Sequence, residues 1–174
     1  YAKVTGTGAC GDYWSLRDAG ANPVLDFTDV GWPTTYLLDP EDVEQTMVSL
    51  VHHLAHHRVD AMILEIADGV LQRETAALLS SQTFRALVGG IVLAAQDSMG
   101  ALAGVQWLRE RPTPVLALSG MLTTSPLLIG EASRATGLPV YEREALATAT
   151  VAMRLLGQAQ HQTDAHISTA IGVA

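Results

Sequence analysis

Asp60-Ala61-Met62-Ile63-Leu64-Glu65-Ile66-Ala67-Asp68-Gly69 is the stretch on which the fold reading turns. Ala61 to Ile66 is apolar apart from Glu65, the pattern of a parallel strand covered on both faces. Asp68-Gly69 then closes the run as a turn. Outward from it, apolar runs alternate with helical periodicity. Val4 to Thr7, Val24 to Asp29, Ile91 to Ala95 and Val115 to Leu118 read as strands, with a short further one at Val140-Tyr141. The best-supported helix follows Asp39, an N-cap, with Pro40 at its first position and Glu41 and Asp42 at its positive end. Val43, Met47, Leu50, Val51 and Leu54 form one apolar stripe along it. Further helices are expected over Tyr13–Ala19, Leu71–Leu79 and Ala101–Arg109, then from Pro126 to a Gly137-Leu138-Pro139 stop, and from Glu142 to Leu156.

Strands alternating with helices predict βαβ units. The expected fold is α/β: a mostly parallel five- to six-stranded sheet with helices on both faces, binding ligands at the carboxyl ends of its strands. Residues 1–156 are expected to form a single domain and 157–174 a C-terminal tail. Tyr1 to Thr5 reads as a strand already in progress, so the chain is expected to be a fragment of a longer protein with an N-terminal part upstream.

Composition narrows the function classes. Hydrophobic residues are 48% of the 174 and charged residues 16%, enough for a buried core. A net charge of −8 argues against nucleic acid or an anionic membrane as a partner. No apolar run reaches the ~18 residues of a membrane span. Cys10 is the one cysteine, which fits a reducing cytoplasm. Trp14, Trp32 and Trp107 are candidate contacts in a homo-oligomer.

Gly6-Thr7-Gly8-Ala9-Cys10-Gly11 satisfies two fingerprints. As G-x-G-x-x-G it is a dinucleotide-binding turn, with Asp26 as the ribose-binding acid of an NAD(P)-type Rossmann domain. As G-x-x-x-x-G it is the frame of a phosphate loop, but Asp12 and Tyr13 stand where Lys and Ser/Thr belong. The strand order around it settles the preference. Val4-Thr5-Gly6-Thr7, the Asp60–Gly69 stretch, Gly90 to Ala95, and Pro114-Val115-Leu116-Ala117-Leu118-Ser119-Gly120 together resemble dethiobiotin synthetase-like P-loop proteins over roughly Ala2 to Tyr141. They also resemble an uncharacterised P-loop branch that carries this domain behind an N-terminal one. The resemblance implies a P-loop-NTPase-like three-layer sandwich. It also implies a degenerate Walker A loop, with Gly6, Thr7, Gly8, Ala9, Cys10, Gly11 and Asp12 facing ATP or a related nucleotide, or another small-molecule phosphate ligand.

The acids at the strand ends supply the second half of the expected site. Asp12, Asp29, Glu65 and Asp68 gather at one sheet edge if the strands run parallel, and such a cluster recruits a cation such as Mg²⁺. Glu65 and Asp68 are the candidate catalytic acids, because a Glu closing so apolar a run needs a partner. Arg73 and Glu74 are candidate neighbours. The function expected is a nucleotide- or phosphometabolite-binding protein with a carboxylate-held metal. The alternatives are a non-catalytic binding or regulatory module with a decayed loop, and the Rossmann reading. His52, His53, His56 and His57 form i, i+4 pairs, but His52 and His56 fall on the helix face opposite the apolar stripe, and the set reads as solvated rather than as metal ligands.

Overall fold

The computed structural model describes residues 1–8, 10–67 and 69–171, the side chains of 10 and 163–171 excepted. The chain divides into two compact units, Tyr1–Thr83 and Phe84–Ala174.

The first unit holds β1 (Ala2–Lys3), α1 (Cys10–Asp18), β2 (Leu25–Asp26), α2 (Pro40–His56), β3 (Leu64–Glu65) and α3 (Arg73–Ser80). Its sheet has the order β2-β1-β3, with both pairings parallel. The central strand is therefore the first in sequence, and residues 2–3 align with 25–26 on one side and 64–65 on the other. Helix α2 starts at Pro40, as its capping signals require, and buries Val43, Met47, Leu50 and Leu54 of the predicted stripe. That stripe packs towards β1, α3 and a 3₁₀ turn at Phe27–Val30. Ala2, Val4, Phe27 and Leu78 complete the core. Fully burying a side chain of this size is worth about 1.5–3 kcal/mol, so this stripe is the main apolar support of the sheet.

Helix α4 (Gln82–Leu87) spans the boundary between the units. The second unit continues with β4 (Ile91–Ala94), α5 (Ser98–Arg109), β5 (Val115–Ser119), α6 (Pro126–Thr136), α7 (Arg143–Leu146) and α8 (Ala149–Ile171). Strands β4 and β5 pair in parallel, and Ala101, Val105, Leu118, Leu122 and Ala132 form a buried cluster against them. Gly137 ends α6 in the left-handed conformation at φ 73°, as the glycine stop predicted. Gly120 leaves β5 at φ 97°, and a Cβ there would lie 2.7 Å from the backbone N and O of Ala95. Only glycine fits both the angle and the space.

The single five- to six-stranded sheet does not form, and with it the expected three-layer P-loop-type sandwich is corrected. There are two sheets, of three and two strands. The strands of the first are two residues long, and the expected strand at Val4–Thr7 is displaced: β1 is Ala2–Lys3, and Thr7 makes one isolated bridge to Thr34. Of Ala61–Ile66 only Leu64 and Glu65 pair as a strand, and Met62 and Ile63 are 37% and 63% exposed. The run is apolar without being covered on both faces. Val24–Asp29 turns away after Asp26, whose carboxylate accepts from the Thr28 amide at 2.7 Å while Asp29 accepts from the Asp26 amide at 2.9 Å. This reciprocal capping box starts the 3₁₀ turn and stops the strand. In β4, Ile91 and Leu93 are half-buried while Val92 and Ala94 are exposed, an alternation that four apolar side chains conceal in the sequence. The expected strand at Val140-Tyr141 contributes one isolated bridge, Val140 to Leu118.

Candidate functional site

The carboxyl end of the three-stranded sheet gathers the charges that the strand-end argument anticipated, around a cation it did not assign. Parallel register sets Lys3 between Asp26 and Glu65. Lys3 Nζ lies 2.6 Å from Asp12 Oδ2, in the first turn of α1, and 3.2 Å from Glu65 Oε1 on β3. The Tyr1 hydroxyl donates to the other Glu65 oxygen. Lys3 is 13% exposed at its side chain, against 36% for Glu65 and 52% for Asp12, so the ammonium is the buried centre and Asp12 its solvated rim.

The electrostatics follow from that geometry. Burial alone would lower the Lys3 pKa, but the hydrogen bonds to Asp12 and Glu65 outweigh it and the ammonium is held above its ordinary value. The Tyr1 phenol is also pushed up, first by burial and then by its hydrogen bond to the Glu65 carboxylate and by the negative charge around it. Both groups keep their neutral-pH protonation state: Lys3 charged, Tyr1 neutral. Beside this cluster is a hollow of about 10 Å³ that Lys3, Asp12, Tyr13 and Asp26 help to line. That volume holds about one water molecule.

The glycine loop is tied down by its own chain. The Gly6 amide donates to Thr35 Oγ1 at 2.8 Å, and the Thr35 amide returns a bond to the Gly6 carbonyl at 2.9 Å. The Gly8 amide donates to the Pro33 carbonyl at 3.2 Å, and Thr7 forms an antiparallel bridge with Thr34. A second brace comes from α3. The carboxylate of Glu74, 3% exposed, accepts from the Leu37 amide, and Leu37 is held in the left-handed region at φ 63°. Arg73 donates to the Leu38 carbonyl at 3.0 Å and pairs with Asp39 at 3.4 Å. Thr5 Oγ1 links β1 to the residues after β3, accepting from the Ala67 amide at 2.9 Å.

Of the four acids expected to share a metal, Asp12 and Glu65 therefore meet, with Lys3 between them. Asp29 is engaged in the Asp26 capping box, and Asp26, the ribose acid of the Rossmann reading, accepts from Thr28. Asp68 and Ala9 lie outside the described residues, as does the side chain of Cys10. Arg73 and Glu74 serve the 37–39 segment rather than Glu65. Among the described residues no group of three His, Cys, Asp or Glu side chains is gathered for a metal ion. Of the expected donors that are described, Asp12 and Glu65 hold the Lys3 ammonium where a cation between them would sit.

Sequence reasoning missed Lys3, Tyr1 and Thr35. A signal for Lys3 exists: it is the one cation in a strand flanked, in register, by strands that end in acids. Nothing local marks Thr35, which meets Gly6 across 29 positions of sequence.

Comparison with protein-family models, with curated proteins and with solved structures finds no match. Among the described residues no helix is long and apolar enough to cross a membrane.

Proposed function

We propose that the chain is a non-catalytic binding or regulatory module, in which a degenerate phosphate-type loop has become a structural clasp. One observation carries this reading: two amides at the start of the loop and the lysine beside it are already engaged within the chain. The Gly6 and Gly8 amides already have acceptors, and Lys3, the cation nearest the loop, already holds two carboxylates. A phosphate loop works by leaving backbone amides and a cation free to meet phosphate oxygens. Asp12 adds negative charge where a triphosphate would need positive. The acidic net charge and single cysteine support a cytoplasmic setting without nucleic acid or membrane partners.

The nucleotide-binding reading is the competitor. It draws on a lysine and a helix start at the carboxyl end of a parallel sheet. Thermal denaturation of the chain with ATP, ADP, GTP, NAD or NADP, each with and without Mg²⁺, separates the two. A ligand at 100 times its Kd adds about 2.7 kcal/mol of stability, which is easily read as a rise in Tm. We expect no shift with any of them at millimolar concentration. A Mg²⁺-dependent rise with ATP or GTP overturns the proposal in favour of nucleotide binding, and an NAD-selective rise favours the dinucleotide reading.

A further inference from the structure

The four histidines near the end of α2 do not all have the same surroundings. His52 and His56 are exposed, one helical turn apart, with ring centroids 4.5 Å apart and an interplanar angle of 80°. Their Nε2 atoms approach to 3.2 Å, much closer than the centroids, so the two nitrogens face each other. His53 differs. Its Nδ1 lies 2.8 Å from the Ser49 carbonyl, and its i+4 neighbour His57 is the C-cap, where the helix has already ended.

The 3.2 Å separation has a chemical meaning. An imidazole nitrogen binds Zn²⁺ and similar ions at about 2.0–2.1 Å. Two such bonds at a right angle put the nitrogens about 2.9 Å apart, and two at the tetrahedral angle put them about 3.3–3.4 Å apart. The observed spacing falls between these limits. We propose that His52 and His56 form a two-imidazole chelating site for a divalent transition-metal ion, with water completing the coordination shell. In the absence of metal one Nε2 donates to the other. On binding, both rings carry their proton on Nδ1 and both Nε2 lone pairs point at the ion. Nitrogen donors place Cu²⁺ first, Ni²⁺ and Zn²⁺ behind it, and leave Mg²⁺ without affinity. The site is exposed, so binding requires no rearrangement of the core, and it is separate from the Lys3 cluster and independent of the proposed binding role.

Cu²⁺ titrated calorimetrically into the full chain tests the site, with ¹⁵N-histidine spectra recorded in parallel. The tightest-bound equivalent should broaden the His52 and His56 ring signals first. His52→Gln and His56→Gln should each weaken that equivalent about tenfold or more, because losing one of two linked ligands forfeits the chelate gain. His53→Gln and His57→Gln should leave it within about twofold on the same scale. Circular dichroism of each variant checks that α2 is intact, and Gln keeps the helix propensity high. Unchanged affinity in His52→Gln or His56→Gln overturns the site. So does loss of the tightest equivalent in His161→Gln or His166→Gln, or Mg²⁺ binding as strongly as Cu²⁺. A 2:1 protein-to-copper complex with the mass of a dimer overturns the one-chain chelate and places the metal between copies.

Discussion

The two sheets of this protein are built by opposite means. In the second unit β4 and β5 are four and five residues long, and Leu118 and Leu122 sit in an apolar cluster with Ala101, Val105 and Ala132. In the first unit three two-residue strands are fastened by polar cross-links at their carboxyl ends: Lys3 to Asp12 and Glu65, Tyr1 to Glu65, Thr5 to Ala67, and Gly6 to Thr35. Apolar packing is diffuse and tolerant of small shifts, whereas a hydrogen bond demands geometry. The first sheet has few ladder bonds and gains definition from side chains; the second has a longer ladder and needs fewer such ties.

That contrast is exposed to mutation. The largest effect should come from Leu118→Ala, a fully buried site between β5 and its helices. A cavity there should cost about 3 kcal/mol, read from urea denaturation followed by the fluorescence of Trp107. A cost below about 1 kcal/mol would mean that the second unit does not rest on this cluster.

Lys3→Met is the matching cut in the first unit. It leaves Asp12 and Glu65 without their shared cation, and partial exposure limits the cost to about 1–2 kcal/mol. The pH dependence is the sharper readout. Lys3 and the Tyr1 hydroxyl both have folded-state pKa values above their ordinary 10.5 and 10.0. Such groups contribute their full stabilisation below those ordinary values and lose it as pH climbs towards the folded ones. The contribution of Lys3 and the Tyr1 hydroxyl should therefore be constant through neutral pH and fall above about pH 10, and Lys3→Met should make that alkaline limb shallower, leaving the part that Tyr1 supplies. An unchanged limb would remove the cluster from the stability of the first sheet.

The smallest effect belongs to Asp29→Ala, which opens one side of the capping box at the exit of β2. An exposed cap partner should cost about 0.5 kcal/mol by the same denaturation measurement. A loss as large as that of Lys3→Met would shift the weight of the first unit from its charge cluster to its turn.

How much of this was legible in the sequence follows the same division. Features written in nearest-neighbour periodicity were readable: the Pro40 start and buried stripe of α2, the β4 and β5 runs, and the Gly137 stop of α6. Strand existence was readable but strand extent was not, because Ala61–Ile66 and Ile91–Ala94 are apolar at covered and uncovered positions alike. The assembly of strands into one sheet was an inference from alternation, which counts βαβ units without fixing which edges meet. At the site, the meeting of Asp12 and Glu65 followed from strand ends converging. Lys3 between them depended on the order β2-β1-β3 and its register, and Thr35 on a contact between distant segments. Asp29 was readable as a cap from its spacing to Asp26, yet the same spacing also suited a strand-end ligand.

Gly120 carries one consequence for anyone who surveys substitutions across this chain. Its positive φ and the Ala95 backbone 2.7 Å from where a Cβ would stand leave no allowed replacement in the folded state. In a saturation scan, position 120 would score as intolerant as a reacting side chain, and it lies just past the end of a strand, where ligand contacts are customarily sought. The intolerance would report the collision of two backbones, and a map of function drawn from such scores would mark a doorway where there is only a wall.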